Sequence, residues 1–232
     1  INSGGLTYDL FWKEYKHKLS FYTSAQHVDR NSYYGAQQDP NAYGKTKDLT
    51  FVGGGMYVGN FDKVLFSPAT FTAGLEYSHN NMHDIMAGYN RDLEQKVRIA
   101  SAFFQNEWKM NDFTLLAGFR LDDHNLIENL IFSPRVNLLY KPSDALQGRL
   151  TWSTGFRAPQ AYDEDLHVTA VGGEGVLIHL ADGLKPEKSN SFSGSVDLSG
   201  QIGHFQTNLL IEGFYTALKD VFYLQNVGVD AQ

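Results

Sequence analysis

Phe113-Thr114-Leu115-Leu116-Ala117-Gly118-Phe119-Arg120-Leu121-Asp122 decides the fold class of this chain. Its odd positions are apolar throughout, whereas Thr114, Gly118, Arg120 and Asp122 fall on the even set. Successive side chains of an extended chain leave opposite faces, so this spacing predicts a strand with one greasy and one polar face. The pattern spreads outward from there. Phe132, Pro134, Val136, Leu138 and Tyr140 alternate with Ser133, Arg135, Asn137 and Lys141, and Leu146, Gly148, Leu150, Trp152, Thr154 and Phe156 with Gln147, Arg149, Thr151, Ser153 and Arg157. Downstream, Phe192, Gly194, Val196 and Leu198 form one set and Phe205, Thr207, Leu209 and Ile211 another. Upstream sets are Leu6, Tyr8, Leu10 and Trp12; Leu19, Phe21 and Ala25; Leu49, Phe51 and Tyr57; and Phe71, Ala73, Leu75 and Tyr77. The segment from Val97 to Trp108 breaks the rule by carrying Phe103 and Phe104 on opposite faces. Amphipathic helices are missing, so the chain reads as all-β with about ten antiparallel strands.

Strand length narrows the class. The segment from Leu146 to Phe156 is long enough to cross a tilted bilayer, for which about 9–11 residues suffice. A soluble strand averages about 5–6. The connections also alternate. Short turns are expected at Glu14–Lys16, Met110–Asp112, Pro142–Asp144 and Gly200–Gly203, with a somewhat longer one at Asn60–Ser67. Long polar links are expected at Tyr34–Lys47, Asn80–Leu93 and Gly155–Ser189, with a shorter one at His124–Asn129. Short turns on one side and long loops on the other are the habit of up-and-down outer-membrane barrels. Aromatics gather at strand ends, as at Phe11, Trp12, Tyr33, Tyr34, Tyr140, Phe222 and Tyr223, where an interfacial girdle would place them.

Composition excludes several classes. The 232 residues hold 26 acidic and 19 basic side chains, net charge -7, which leaves no cationic excess for nucleic-acid phosphates. There is no cysteine, hence neither disulfide nor thiolate metal site. No apolar run reaches the roughly 18 residues of a transmembrane helix, a result that leaves strand-built membrane proteins untouched. The sequence starts at Ile1 without a signal-peptide pattern, so a mature product or an excerpt of a longer protein is expected. Neither Gly-x-Ser-x-Gly nor His-Glu-x-x-His occurs, and catalysis is not expected.

Three elements carry a family resemblance. Ser133-Pro134-Arg135-Val136-Asn137-Leu138-Leu139-Tyr140-Lys141-Pro142, then Gly155-Phe156-Arg157-Ala158-Pro159, then Leu184-Lys185-Pro186-Glu187-Lys188-Ser189 resemble, in order and spacing, the barrel region of TonB-dependent outer-membrane receptors. The extension from Phe156 through Tyr162, Asp163, Glu164, Asp165 and Leu166 to His167 is similar to the Bacteroidetes branch near the vitamin B12 and haem receptors. The resemblance implies a bacterial outer-membrane location, contact with outer-membrane lipid, and active import of a small metal-complex ligand. It implies a plug domain pulled by the TonB complex and a 22-stranded barrel with a plugged lumen. Too few strands are present for that barrel, so residues 1–232 are expected to be a partial barrel domain, with the plug elsewhere. Cobalamin or haem is the expected transported ligand, ahead of ferric siderophores. A passive or structural outer-membrane barrel with surface binding is the alternative, and a soluble β protein the third.

Candidate site residues concentrate between the second and third elements. Arg157 leaves the membrane on the lumen side, where it would pair with a plug carboxylate or substrate, or form a salt bridge that holds the loop. Haem receptors carry an axial-ligand histidine in this interval, which His167 or His179 would supply, a neutral imidazole being a good iron ligand. Tyr162 accompanies them as a ligand contact. Asp163, Glu164 and Asp165 offer carboxylate oxygens to Ca²⁺, an ion with which cobalamin receptors order their loops. Asp39, Asp48, Asp84 and Asp92 are secondary candidates of the same kind.

Overall fold

The computed structural model of the chain describes residues 1–33, 43–86, 91–160, 180–225 and 228. Ten strands form one antiparallel sheet in which each strand pairs with its sequence neighbours: β1 (Asn2–Trp12), β2 (His17–Tyr33), β3 (Tyr43–Val64), β4 (Ser67–Met86), β5 (Arg91–Met110), β6 (Phe113–His124), β7 (Ile131–Tyr140), β8 (Leu146–Arg157), β9 (Glu187–Ile202) and β10 (Phe205–Lys219). This is the up-and-down meander that the alternation of short turns and long links predicts.

Register sets the two faces, because residues paired across antiparallel strands point the same way. One row of partners runs Trp108, Leu115, Leu138, Leu150, Gly194, Gly213 across β5 to β10. Another, on the opposite face, runs Tyr22, Gly54, Glu76, Ser101, Asp122 across β2 to β6. The apolar face is the open one: Leu6 is 70% exposed, Leu75 67%, Leu150 63% and Ile211 62%. Polar residues such as Ser101, Asp122 and Asp84 are buried instead. Water would penalise such a continuous apolar surface at about 25 cal/mol per Å², whereas hydrocarbon does not. The sheet is thus built to stand in a bilayer with its apolar face outward.

Aromatic rings collect on that face toward the short-turn end. Trp12 stacks on His17 at 5.4 Å between centroids, His17 on Tyr57 at 6.0 Å, Phe66 on Trp108 at 5.8 Å and Phe113 on Tyr140 at 4.6 Å. Of the expected girdle residues, Trp12 and Tyr140 belong to this belt, Tyr33 packs on Tyr43 at the other end, and Tyr34 lies outside the described residues. Phe104 faces outward between Phe71 and Phe119, at 4.9 and 5.7 Å. Phe103 points to the polar side and lies over Gly74, where an added Cβ would sit 2.4 Å from its ring. Gly74 thus resolves the segment with aromatics on both faces: without a side chain it leaves room for the ring on the neighbouring strand.

Two expectations about the connections need correction. The described residues of the links expected at Tyr34–Lys47 and Asn80–Leu93 are strand, since β3 begins at Tyr43, β4 continues to Met86 and β5 begins at Arg91. Cross-strand hydrogen bonds hold these polar ends: the Asn80 amide donates to Asp48 at 2.5 Å and to Thr50 at 2.9 Å, and the Thr46 hydroxyl to Asp84 at 2.5 Å. The three strands β3, β4 and β5, of 22, 20 and 20 residues, run well past a bilayer core. The turn expected over Asn60–Ser67 shrinks to Leu65 and Phe66, with a register shift between Phe61 and Val64 and with Leu65 at φ 64°.

Candidate functional site: the polar face and its outer rim

The polar face of β2 to β6 carries one connected cluster at the depth of the apolar band. Tyr22 reaches it because Gly54 has no side chain: a Cβ there would lie 2.7 Å from the tyrosine ring. The Tyr22 hydroxyl donates to Glu76 Oε2 at 2.6 Å, and Arg120 Nη2 donates to Glu76 Oε1 at 2.9 Å. Arg120 Nε also donates to Asp122 Oδ1 at 2.7 Å, which accepts from the Ser101 hydroxyl at 2.6 Å as well. One guanidinium therefore bridges two carboxylates drawn from different strands. Such fixed, satisfied polar groups make this face a wall for an aqueous or protein-filled interior.

Closer to the long-link end lies a second cluster. Arg91 Nε meets Asp84 Oδ2 at 3.0 Å with both side chains buried, and Arg30 donates to Thr46 at 3.0 Å. Asp84, Asp48 and Asp92 were secondary metal candidates. Each has a protein partner: Asp84 accepts from Thr46 and forms an ion pair with Arg91, Asp48 accepts from Asn80 and Thr50, and Asp92 meets His83 Nε2 at 2.7 Å. Among the described residues no three His, Cys, Asp or Glu side chains group as a metal site. Asp39 lies outside the described residues.

Arg157 ends β8 and pairs in register with Glu187, the first residue of β9. Its Nε donates to Glu187 Oε2 at 2.7 Å, and its guanidinium lies 5.0 Å from the Phe222 ring centroid. Glu187 Oε1 accepts the Phe222 backbone N–H at 2.5 Å. The second and third motif elements are thus the two ends of the long link, clasped by one ion pair. The remaining sequence candidates, Tyr162, Asp163, Glu164, Asp165, His167 and His179, lie outside the described residues.

Glu187 sits above the apolar band, and the hydrogen bond from Arg157 holds its carboxyl below the usual carboxylate range. A lowered folded-state pKa contributes stability above the unfolded value of about 4.3, and that contribution is lost as pH falls through the folded value. Thermal unfolding of the complete receptor, followed from pH 6 to pH 3, is expected to show an acid-labile component that Glu187→Gln removes. Identical pH profiles for the two proteins would contradict the clasp.

The sequence alone missed Tyr22 and Glu76. Alternation placed Arg120 and Asp122 on a polar face, but their partners come from strands distant in sequence and carry no local signal.

An antiparallel meander with an apolar outer face, an ion-paired inner face and strands overrunning the bilayer is a section of outer-membrane β-barrel. The family model described as TonB dependent receptor-like, beta-barrel, matches residues 2–232, and the chain belongs to that family, which places it in the bacterial outer membrane. Its structure is similar to that of the siderophore receptor PirA from Pseudomonas aeruginosa, with a TM-score of 0.73 at 16% identity over 93% of this chain and 38% of that one. The FrpB iron transporter from Neisseria meningitidis gives 0.67 at 14% identity, covering 94% and 37%. The ferric enterobactin receptor PfeA from Pseudomonas aeruginosa, as a Q482A mutant with enterobactin, gives 0.60 at 20% identity, covering 84% and 32%. The chain thus spans well under half the length of these receptors, and at such identities the likeness concerns the fold. No curated protein matches the chain.

Proposed function

We propose that residues 1–232 form part of the barrel of a TonB-energised importer, the plug and the remaining strands belonging to the same longer receptor. The observation that carries this reading is the match of residues 2–232 to the TonB-dependent receptor barrel family, with a hydrogen-bonded wall of Tyr22, Glu76, Ser101, Arg120 and Asp122 backed by a lipid-facing surface. A passive pore would use the same two faces, so the distinguishing property is energy dependence. The cargo in this proposal is a metal-bearing organic ligand, with cobalamin or haem ahead of a ferric siderophore. The stretch from Phe156 to His167 supports the first two through its resemblance to their receptors; among the structural relatives PirA is a siderophore receptor and FrpB an iron transporter. His167 and His179 are the proposed haem-iron ligands, Tyr162 and Arg157 further ligand contacts, and Asp163, Glu164 and Asp165 the proposed Ca²⁺ donors.

Titration of the complete receptor with haem, cyanocobalamin and a ferric catecholate siderophore tests the cargo. Saturable binding of haem or cyanocobalamin is expected, with the haem case weakened at least about tenfold in a His167→Ala, His179→Ala double variant. Unchanged haem affinity in that variant removes the axial-ligand proposal. Uptake that persists at the wild-type rate in cells lacking TonB contradicts active import and favours the passive barrel.

A further inference from the structure

The outer face of β8, β9 and β10 carries a groove of about 520 Å³, lined by Leu138, Leu150, Trp152, Phe192 and Tyr215 around Gly194 and Gly213. The two glycines are register partners on adjacent strands, and Leu150 pairs with Gly194, so the groove arises where two neighbouring side chains are absent from the lipid-facing row. Its size falls in the range of small-molecule sites, about 300–1,000 Å³.

A second feature stands on the same strands nearer the long links. Lys188 and Lys219 are direct register partners on this outer face, both exposed. Like charges directly opposite each other destabilise a strand pair. Neither lysine has an ion-pair partner among the described residues, and Asp220, next in sequence to Lys219, does not supply one. Below the pair the outer face is already turning polar: the indole N–H of Trp152 donates to Asn190 Oδ1 at 2.7 Å, two residues from Lys188. Lys188 is six residues from Gly194, about 20 Å along the strand and less in depth once the strand tilts. Cations directly above an apolar groove match the two ends of one molecule.

We propose that this face is a specific site for a phosphate-bearing membrane lipid of net negative charge, its acyl chain in the Gly194–Gly213 groove and its phosphate between Lys188 and Lys219. The phosphate relieves the repulsion between the lysines, and the charge complementarity together with continuity with the lipid-facing band identifies the occupant. The site is separate from cargo binding and rests only on the outer-membrane location.

Native mass spectrometry of the complete receptor in dodecyl maltoside, titrated with dimyristoyl phosphatidylglycerol and with dimyristoyl phosphatidylcholine, tests it without any transported ligand. Tighter retention of phosphatidylglycerol is expected, weakened about thirtyfold in the Lys188→Gln, Lys219→Gln double variant, two contacts of the size typical for cations at an anionic lipid surface. Gly213→Leu is expected to weaken retention of both lipids, because a Cβ at position 213 meets nothing within 4 Å in this section of the barrel and the longer side chain occupies the groove. Equal retention of the two lipids by the wild type, or wild-type retention in either variant, overturns the proposal. A free anion held by the lysines alone would be indifferent to Gly213→Leu, which separates that outcome from a lipid.

Discussion

Replacing Arg120 with Met in the complete receptor is expected to lower its unfolding free energy in detergent by about 2–3 kcal/mol. Arg120 is the cation shared by Glu76 and Asp122, and its removal leaves two carboxylates on one small area of the polar face. Breaking a fully buried pair from one side costs about 3–5 kcal/mol, because a charge is stranded without a counterion. Asp122 is buried at 4% side-chain exposure, but Arg120 at 38% and Glu76 at 26% keep some water, and solvent screening reduces the cost. The triple variant Arg120→Met, Glu76→Gln, Asp122→Asn is expected to recover most of the loss, since no charge is then left unpaired. Denaturant midpoints of the three proteins check this, and a triple variant no more stable than Arg120→Met would show that packing, not charge, dominates.

The second large effect belongs to the opposite face. Leu150 is 63% exposed near the middle of β8, in the outward row between Leu138 and Gly194. Leu150→Arg is expected to cost about 2–4 kcal/mol, the range for a cation placed at the bilayer midplane of a barrel. Thr151→Arg, one residue away and on the polar face, is expected to cost much less. Reconstituted receptor unfolded by denaturant gives both values. Equal costs would mean that the two faces are not lipid and lumen.

The faces were legible in the sequence wherever one side of a strand meets lipid and the other meets polar groups. Phe113 to Asp122 and Leu146 to Arg157 alternate because each position has a single environment along the whole strand. The same logic explains where the sequence misled. Beyond the bilayer both faces meet polar surroundings, so the apolar alternation fades although pairing continues; Lys45 to Asp48 and Asn80 to Asp84 therefore read as loop and are strand. The Arg157 clasp was legible in part, since a salt bridge holding the loop was one of its two expected roles. Its partner Glu187 lay inside a recognised motif without any local sign that the two motifs touch. Tyr22 with Glu76 was not legible at all, because that contact depends on register and on the space left by Gly54.

The most direct test of the two-faced membrane sheet uses the absence of native cysteine. Single cysteines placed in turn at Leu150, Thr151, Trp152 and Ser153 of the complete receptor in lipid bilayers are labelled with a nitroxide and relaxed by oxygen or by a water-soluble nickel chelate. The structure predicts strict alternation, with oxygen dominant at Leu150 and Trp152 and the chelate gaining at Thr151 and Ser153. Uniform accessibility along the four positions would contradict it.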